Sequence, residues 1–505
     1  MRFEIKDKLS EHDIESGLQY FMKDALATQT MTTLTTSTFL VAFALLLGAS
    51  NFIIGLLAAI PFLTQLVQIP GIYLIEKYQT RRAIYVYAAT ASRVFILGLV
   101  FIAFLAPFFG VLILLILAQL FRATFAAIST CSWNSWMHDI VPKDRLGVFF
   151  SKRMTLATML AIPLGLVSGI FIQYWDLVNP DTVLVAFAII FLLGFFAGLL
   201  GVYLISSIAE PKMHISTENL RFHRRLQAPF DDANFKNLIY FLVVLNFAVN
   251  LAAPFFTVYM LVVLQLPILL VIIFTIINQI TSLAFLRIWG RLSDQMSNKS
   301  VLTISGIILL FCILGFTFTT LPTYHALSLT LLIIIHIFIG ISTAGVSLSS
   351  GNITIKLAPE GKGTTYLAAA SISNSLAAGL APIFGGIIAD LFIFTEFSLI
   401  LTWISPISGF IIPLFSLRYY DFLFLFAFFI GLYAIHRLAY VKEVGETKRR
   451  EVLHALVSEV RNSTRSLSFL RGLRNLFHIP YETTPLLEKS ESNNETDNQS
   501  TEEKR

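Results

Sequence analysis

Four ionisable side chains interrupt long apolar runs of this sequence: Asp24, Arg93, Arg122 and His336. A charge deep in a bilayer costs roughly 2.5–3.5 kcal/mol on insertion scales, so such residues face a cavity or a partner. Arg122 is a permanent cation, whereas His336 can change charge near neutral pH. Amides accompany them: Gln29 and Gln119, with Asn246 and Asn250 spaced i,i+4 on one helix face. Around a common cavity this set would bind a polar solute and move a proton. Two structural alternatives stand beside that reading: a satisfied core histidine at 336, and asparagines that glue helices together. The run Thr32, Thr33, Thr35 and Thr36 is expected mostly to bond back to its own helix. Enzymatic chemistry is not indicated, because the spans hold no cluster of His and acidic residues. The Gly-Lys-[Ser/Thr] phosphate loop of ATP-driven proteins is missing as well. No cofactor or metal ligand set is indicated.

These residues must be positioned by helices. The chain has 505 residues, 56% hydrophobic and 13% charged, against about 25% charged in soluble domains. Runs of 18 or more apolar residues, each able to cross a core of roughly 30 Å, recur along it. The fold class expected is an all-α polytopic membrane protein. Twelve helices are predicted at 20–47, 51–75, 82–106, 109–139, 146–173, 181–208, 236–264, 268–288, 300–320, 325–351, 364–390 and 417–440. Seventeen Lys and Arg follow the even-numbered helices from the second to the tenth, and one, Arg418, lies on the other side. That bias places both termini in the cytoplasm, with the plasma (inner) membrane as the expected location. The polar first 17 residues are unlike a cleavable leader. Cys131 and Cys312 suggest no disulfide framework. The formal charge of +5 needs no nucleic acid to explain it.

Residues 391–414 are apolar enough for a thirteenth span. Glu396, Pro406, Gly409 and Pro413 break a clean helix there, and crossing would move the basic tail to the wrong face, so an outer-side interfacial or re-entrant insert (391–416) is expected. Residues 446–477 alternate Leu and Val with arginines, the pattern of an amphipathic helix on anionic lipid. Residues 488–505 have the composition of a disordered tail.

The chain repeats itself. Asn134, Pro142, Arg145, Gly147 and Pro163 recur as Asn352, Pro359, Lys362, Gly363 and Pro382, and Gly71 and Glu76 as Gly290 and Asp294, all at offsets of 216–219. Six helices per repeat keep the same orientation, so the halves 20–208 and 236–440 are parallel repeats joined by a polar linker at 209–235.

Twelve helices in two parallel halves, with a charged loop after helix 2 and its copy after helix 8, resemble the major facilitator superfamily. Gly290, Leu292, Asp294 and Lys299 match its loop signature; Glu76, Arg81 and Arg82 form a degenerate first copy; Arg122 stands in its helix 4 pattern. The resemblance implies a monomeric secondary transporter working by alternating access, with helices 1, 4, 7 and 10 lining the path. Asp24, Gln29, Gln119, Arg122, Asn246, Asn250 and His336 would then serve substrate binding and coupling, with Arg122 facing His336 across the pseudo-twofold axis. A proton partner is expected, at His336 or, failing that, at Asp24. The resemblance also implies a cytoplasmic gate of Glu76, Arg81, Arg82, Arg145, Arg153, Asp294, Lys299 and Lys362. In it Glu76 meets the start of helix 11, and Asp294 the start of helix 5 near Arg153. The glycines near Pro163 and Pro382 are expected to serve close helix packing. Trp133 and Trp136 are expected at the membrane interface. The runner-up class is a receptor or sensor on a transporter fold, which would call for a large soluble signalling domain.

Overall fold

The computed structural model describes residues 5–7, 9–105, 110–142, 146–213, 222–320, 327–359, 362–404, 409–443, 455, 456 and 458. The predicted amphipathic segment 446–477 lies outside them apart from the last three, and the tail 488–505 lies wholly outside. Among the described residues, twelve helices are long and apolar enough to cross a bilayer: Glu11–Leu46, Asn51–Tyr78, Arg81–Leu105, Val111–Ile140, Phe149–Val178, Pro180–Ser206, Ala233–Val263, Ile268–Gln295, Asn298–Thr320, Ser328–Leu357, Thr365–Leu391 and Tyr420–Leu438. They are helices 1–12 below. The start of helix 1, where Ile5–Lys6 pairs with Glu210–Pro211, and the end of helix 12, where Lys442 bonds Asn234, lie on one face of the bundle, here the terminal face.

Local chemistry sets the boundaries. Helix 1 starts nine residues earlier than expected because Ser10 and Asp13 form a capping box, each side chain bonding the other's backbone amide. Ser50 caps helix 2 and Ser297 caps helix 9. Helix 1 is not continuous: Glu11–Thr35 ends, and Ser37–Leu46 begins after an extended Thr36. The linker carries a short helix, Phe222–Asp231, and Asp232 caps helix 7.

The described residues of 391–414 form no thirteenth spanning helix. Two antiparallel strands, Glu396–Ile404 and Gly409–Arg418, make a hairpin between helices 11 and 12. The register shifts between Leu399 and Ile400, where Ile400 faces Pro413. A proline has no N–H for the ladder, which accounts for the irregularity at that point. Arg418 pairs with Glu396 at 2.7 Å at the base, and that bond holds the Glu396 carboxyl below the usual carboxylate range. The side of the bundle bearing it is the hairpin face.

Aromatic packing fills each half. Phe43, Phe187 and Phe191 cluster between helices 1 and 6. Phe256 stacks on Phe316 at 4.2 Å, joined by Tyr259, Tyr420 and Phe424. Trp136 is not interfacial: it is fully buried against Phe21 and donates its Nε1–H to Ala209 O. With its one polar atom satisfied inside the half, the indole has no need of the membrane rim.

Candidate functional site

The two halves meet on the hairpin side. Helices 2 and 11 approach backbone to backbone there, at Gly55 and Gly386, and Gly379 makes room for the Leu63 side chain. A Cβ on Gly386 would fall 2.4 Å from Asn51 O, and one on Gly55 2.1 Å from Pro382 O. Gly386 therefore serves close packing, as expected for the glycines near Pro382, and Gly55 on helix 2 does the same. Asp390, at the end of helix 11, reaches across and caps helix 2. It accepts from Phe52 N at 2.9 Å, Asn51 N at 3.2 Å and Asn51 Nδ2 at 2.8 Å. Tyr419 accepts a bond from Asn51 Nδ2, and Tyr420 donates to Asn51 Oδ1 at 2.6 Å. A carboxylate at a helix N-terminus satisfies orphan amides and complements the dipole. Helices 5 and 8 close the same face, with Gly169 against Ile272 and Leu269.

On the terminal face the same helices diverge. Glu76, Asp294 and Lys362 are exposed, and the space around Gly363 is open. Neither Glu76 nor Asp294 forms a salt bridge among the described residues. Arg145 lies outside the described residues. Arg153 is turned inward, donating to Asp24 at 3.1 Å while its guanidinium lies 4.7 Å from the Trp133 ring centre.

Three expected gate residues belong instead to locks within each half. Arg81 is fully buried and bonds Asp139, Ser135 O and Pro211 O, while Glu210 caps the start of helix 3 through the Arg81 and Arg82 amides. Arg82 donates to Ser206 O. In the second half, Glu443 accepts from Lys299 N at 2.8 Å, Ser297 Oγ at 2.8 Å, Asn298 Nδ2 at 3.0 Å and Lys356 Nζ at 2.9 Å. The two locks are repeats of one another: Glu443 stands for Glu210, Lys299 for Arg81, and Lys356 for Asp139. Sequence reading missed both glutamates, although each follows the last helix of its half by a few residues. The hairpin inserted before helix 12 displaces Glu443 from the common offset and hides the match.

Burial pushes the Glu443 carboxyl up, but bonds from Lys299 N, Asn298, Lys356 and Ser297 outweigh it and hold it down at about 2. A depressed carboxylate contributes stability above its unfolded value, given up as pH falls through the folded one. Glu443→Gln is therefore expected to lower stability by about 2–3 kcal/mol at neutral pH. The gap between variant and parent melting temperatures should shrink from pH 4.5 toward pH 2; a gap that widens on acidification would refute the lock.

The expected cavity residues divide into two groups. Asp24 is buried in helix 1, paired with Arg153 and accepting from Thr28 at 3.0 Å. Arg93 is buried in helix 3, its side chain against Gly198 of helix 6. Arg122 donates its Nε–H to Gln119 at 2.7 Å, and helix 3 joins helix 4 there through Ser92 Oγ to Arg122 O. This polar centre lies wholly within the first half. His336 does not join it. Its ring stacks on Phe274 at 5.0 Å, meets Phe316 edge-on, and bonds Leu332 O, which makes it a satisfied core histidine. Helices 4 and 10 are repeat equivalents, yet apolar stacking within the second half turns His336 away from Arg122. Asn246 and Asn250 bond back to Leu242 O and Asn246 O on their own helix. Thr32, Thr35 and Thr36 back-bond as expected, and Thr30 does so too, whereas Thr33 accepts from Gln29.

Between the halves lies a cavity of about 160 Å³, lined from helices 1, 5 and 8. Gln29 joins it to a second cavity of about 170 Å³ toward the terminal face, where Thr28 and Arg153 form the wall. Asp24 therefore sits one hydrogen bond behind the passage.

The profile described as Major Facilitator Superfamily matches residues 25–382. The chain belongs to the Major Facilitator Superfamily. Among curated proteins none matches it in sequence. This Major Facilitator Superfamily chain is similar in structure to a mutant form of the nucleoside transporter NupG, at 11% identity and TM-score 0.66, over 85% of this chain and 100% of that one. It is also similar to a bacterial homologue of the iron transporter ferroportin in an inward-facing state, at 13% identity and TM-score 0.57, over 86% and 100% of the two chains. A bacterial homologue of the human lysosomal transporter Spinster, inward-facing and unoccupied, matches at 15% identity and TM-score 0.54, over 76% and 84%. At these identities the likeness is one of fold. The Major Facilitator Superfamily chain is thus a multi-pass integral membrane transporter.

Proposed function

We propose that the protein is a secondary active transporter that moves a small organic solute by alternating access, coupled to protons at Asp24. Both termini lie in the cytoplasm of the plasma membrane, on the strength of the Lys and Arg bias. The observation that carries this reading is the asymmetry between faces: Asp390, Gly55 and Gly386 join helices 2 and 11 on one side, while Glu76, Asp294 and Gly363 stand apart on the other. One face closed over a central cavity and one open is half of a transport cycle. Rocking the halves the other way brings Asp294 toward the start of helix 5 and Glu76 toward the start of helix 11. Each carboxylate then gains roughly 0.3–1 kcal/mol from a helix N-terminus.

Arg153 is the hinge of the coupling. In the open state Asp24 holds it; a proton on Asp24 removes that partner and frees the guanidinium for Asp294. Among the described residues, Thr28 and Arg153 donate to the Asp24 carboxylate. Asp294→Asn and Glu76→Gln are expected to favour terminal-face opening, raising labelling of a cysteine at position 147, with folding intact. Unchanged labelling would reduce both acids to topology signals.

The experiment that tests the function is uptake and efflux of a solute panel in proteoliposomes under an imposed proton gradient. Accumulation that collapses with a protonophore is expected. A protein that binds solutes but equilibrates none across the bilayer would be a receptor.

A further inference from the structure

Helix 1 breaks in mid-membrane at the cavity. Thr36 is extended, at φ −134° and ψ −175°, and Ser37 takes φ 55°, a left-handed conformation that L residues avoid. A break of this kind leaves amides of the first turn of Ser37–Leu46 and carbonyls of the last turn of Glu11–Thr35 without helical partners. Thr36 does not cap them: its side chain accepts no amide and instead donates to Thr32 O at 2.6 Å. In hydrocarbon such groups each cost several kcal/mol, so irregular backbone persists at this depth only where it lines a polar cavity.

A second observation is independent of the backbone. Thr38 is 6% exposed and lines the same cavity, yet its hydroxyl makes no hydrogen bond among the described residues. Gln279 projects from helix 8 into the cavity, also without a bond among them, and Gln29 keeps its carbonyl oxygen free after donating to Thr33. Among the described lining residues none is charged. The half-positive start of Ser37–Leu46 and the half-negative end of Glu11–Thr35 meet at one point, so their dipoles offer donors and acceptors together and no net charge. A fully charged group here would lose its water without gaining a counter-ion. A hydroxyl or amide group loses little, because both of its hydrogen-bonding roles are met.

We infer that the break in helix 1 is a solute subsite for a net-neutral, hydroxyl- or amide-bearing group, held by the Ser37–Phe39 amides, the Thr38 hydroxyl, Gln29 and Gln279. This rests on the transport reading and names its substrate class. Arg93 and Arg122 are not among the residues that line the cavity and take no part.

The test uses the full chain in nanodiscs and four probes: glucose and uridine, against glucose 6-phosphate and uridine 5′-monophosphate. A neutral probe is expected to bind by equilibrium dialysis and to raise the melting temperature, while its phosphorylated counterpart does neither. Thr38→Val should weaken that binding about tenfold, and Thr38→Ser should restore it, with the ligand-free melting temperatures reporting on folding. Binding of the phosphorylated probes alone, of none of the four, or undiminished binding by Thr38→Val overturns the inference. Proton-driven uptake of a phosphorylated probe would sink the subsite and leave the transport reading standing. Neutral binding without any uptake would do the reverse.

Discussion

Gly386→Val is expected to hold the hairpin face open and to cut proton-driven uptake by about a hundredfold. Its Cβ would lie 2.4 Å from Asn51 O and 2.7 Å from Phe52 Cα, both backbone atoms that cannot swing aside. Helix 11 must retreat from helix 2, and the retreat pulls Asp390 from the Asn51 and Phe52 amides it caps. Losing the two charge-assisted bonds from the backbone amides alone removes about 3 kcal/mol from the closed state, which is about two decades of population. Hydrophilic maleimides applied from the hairpin side should then reach a cysteine at position 51. Asp390→Asn should show the same direction with a smaller amplitude, because it removes charge without forcing the helices apart. A Gly386→Val protein that transports like its parent would mean that helices 2 and 11 do not need this contact.

Asp24→Asn is expected to abolish gradient-driven accumulation while leaving solute exchange intact. The amide cannot take up a proton, and it holds Arg153 far more weakly than a carboxylate does. The variant therefore loses the link between protonation and the freeing of Arg153 for Asp294. Counterflow, which needs only rocking of the loaded protein, should continue at a rate comparable to the parent and become independent of pH. His336→Gln, in contrast, should change stability more than coupling, because the ring is packed on Phe274 and Phe316. Accumulation retained in Asp24→Asn and lost in His336→Gln would reverse these assignments.

Twelve spans and two parallel halves were legible because length and apolar character determine what crosses a bilayer, and repeated landmarks survive in order. The fate of the threonines in helix 1 was legible too, since back-bonding is a local matter. The break at Thr36–Ser37 was not, because nothing in "TLTTSTFLV" excludes a continuous helix; the left-handed Ser37 depends on its surroundings. Side-chain direction was equally hidden. Repeat symmetry relates helices 4 and 10 but leaves the facing of each residue open, so Arg122 and His336 looked like neighbours. Glu396, Pro406, Gly409 and Pro413 argue against a thirteenth span and for an insert, but the strand pairing of 396–418 needs a register that composition does not supply. Arg81, Arg82 and Lys299 read as gate charges because their partners Glu210 and Glu443 lie far along the chain.

Alternating access is tested most directly by distances measured on both faces of the same protein. On a background lacking Cys131 and Cys312, one spin-label pair is placed at Tyr78 and Lys362 on the terminal face and another at Leu46 and Phe394 on the hairpin face. All four positions are exposed. Pulsed electron resonance in nanodiscs should give two distances for each pair. Lowering the pH should shift the terminal pair toward the shorter distance and the hairpin pair toward the longer, in equal proportion. A single fixed distance on both faces at every pH, or both pairs lengthening together, would contradict a rocking transporter.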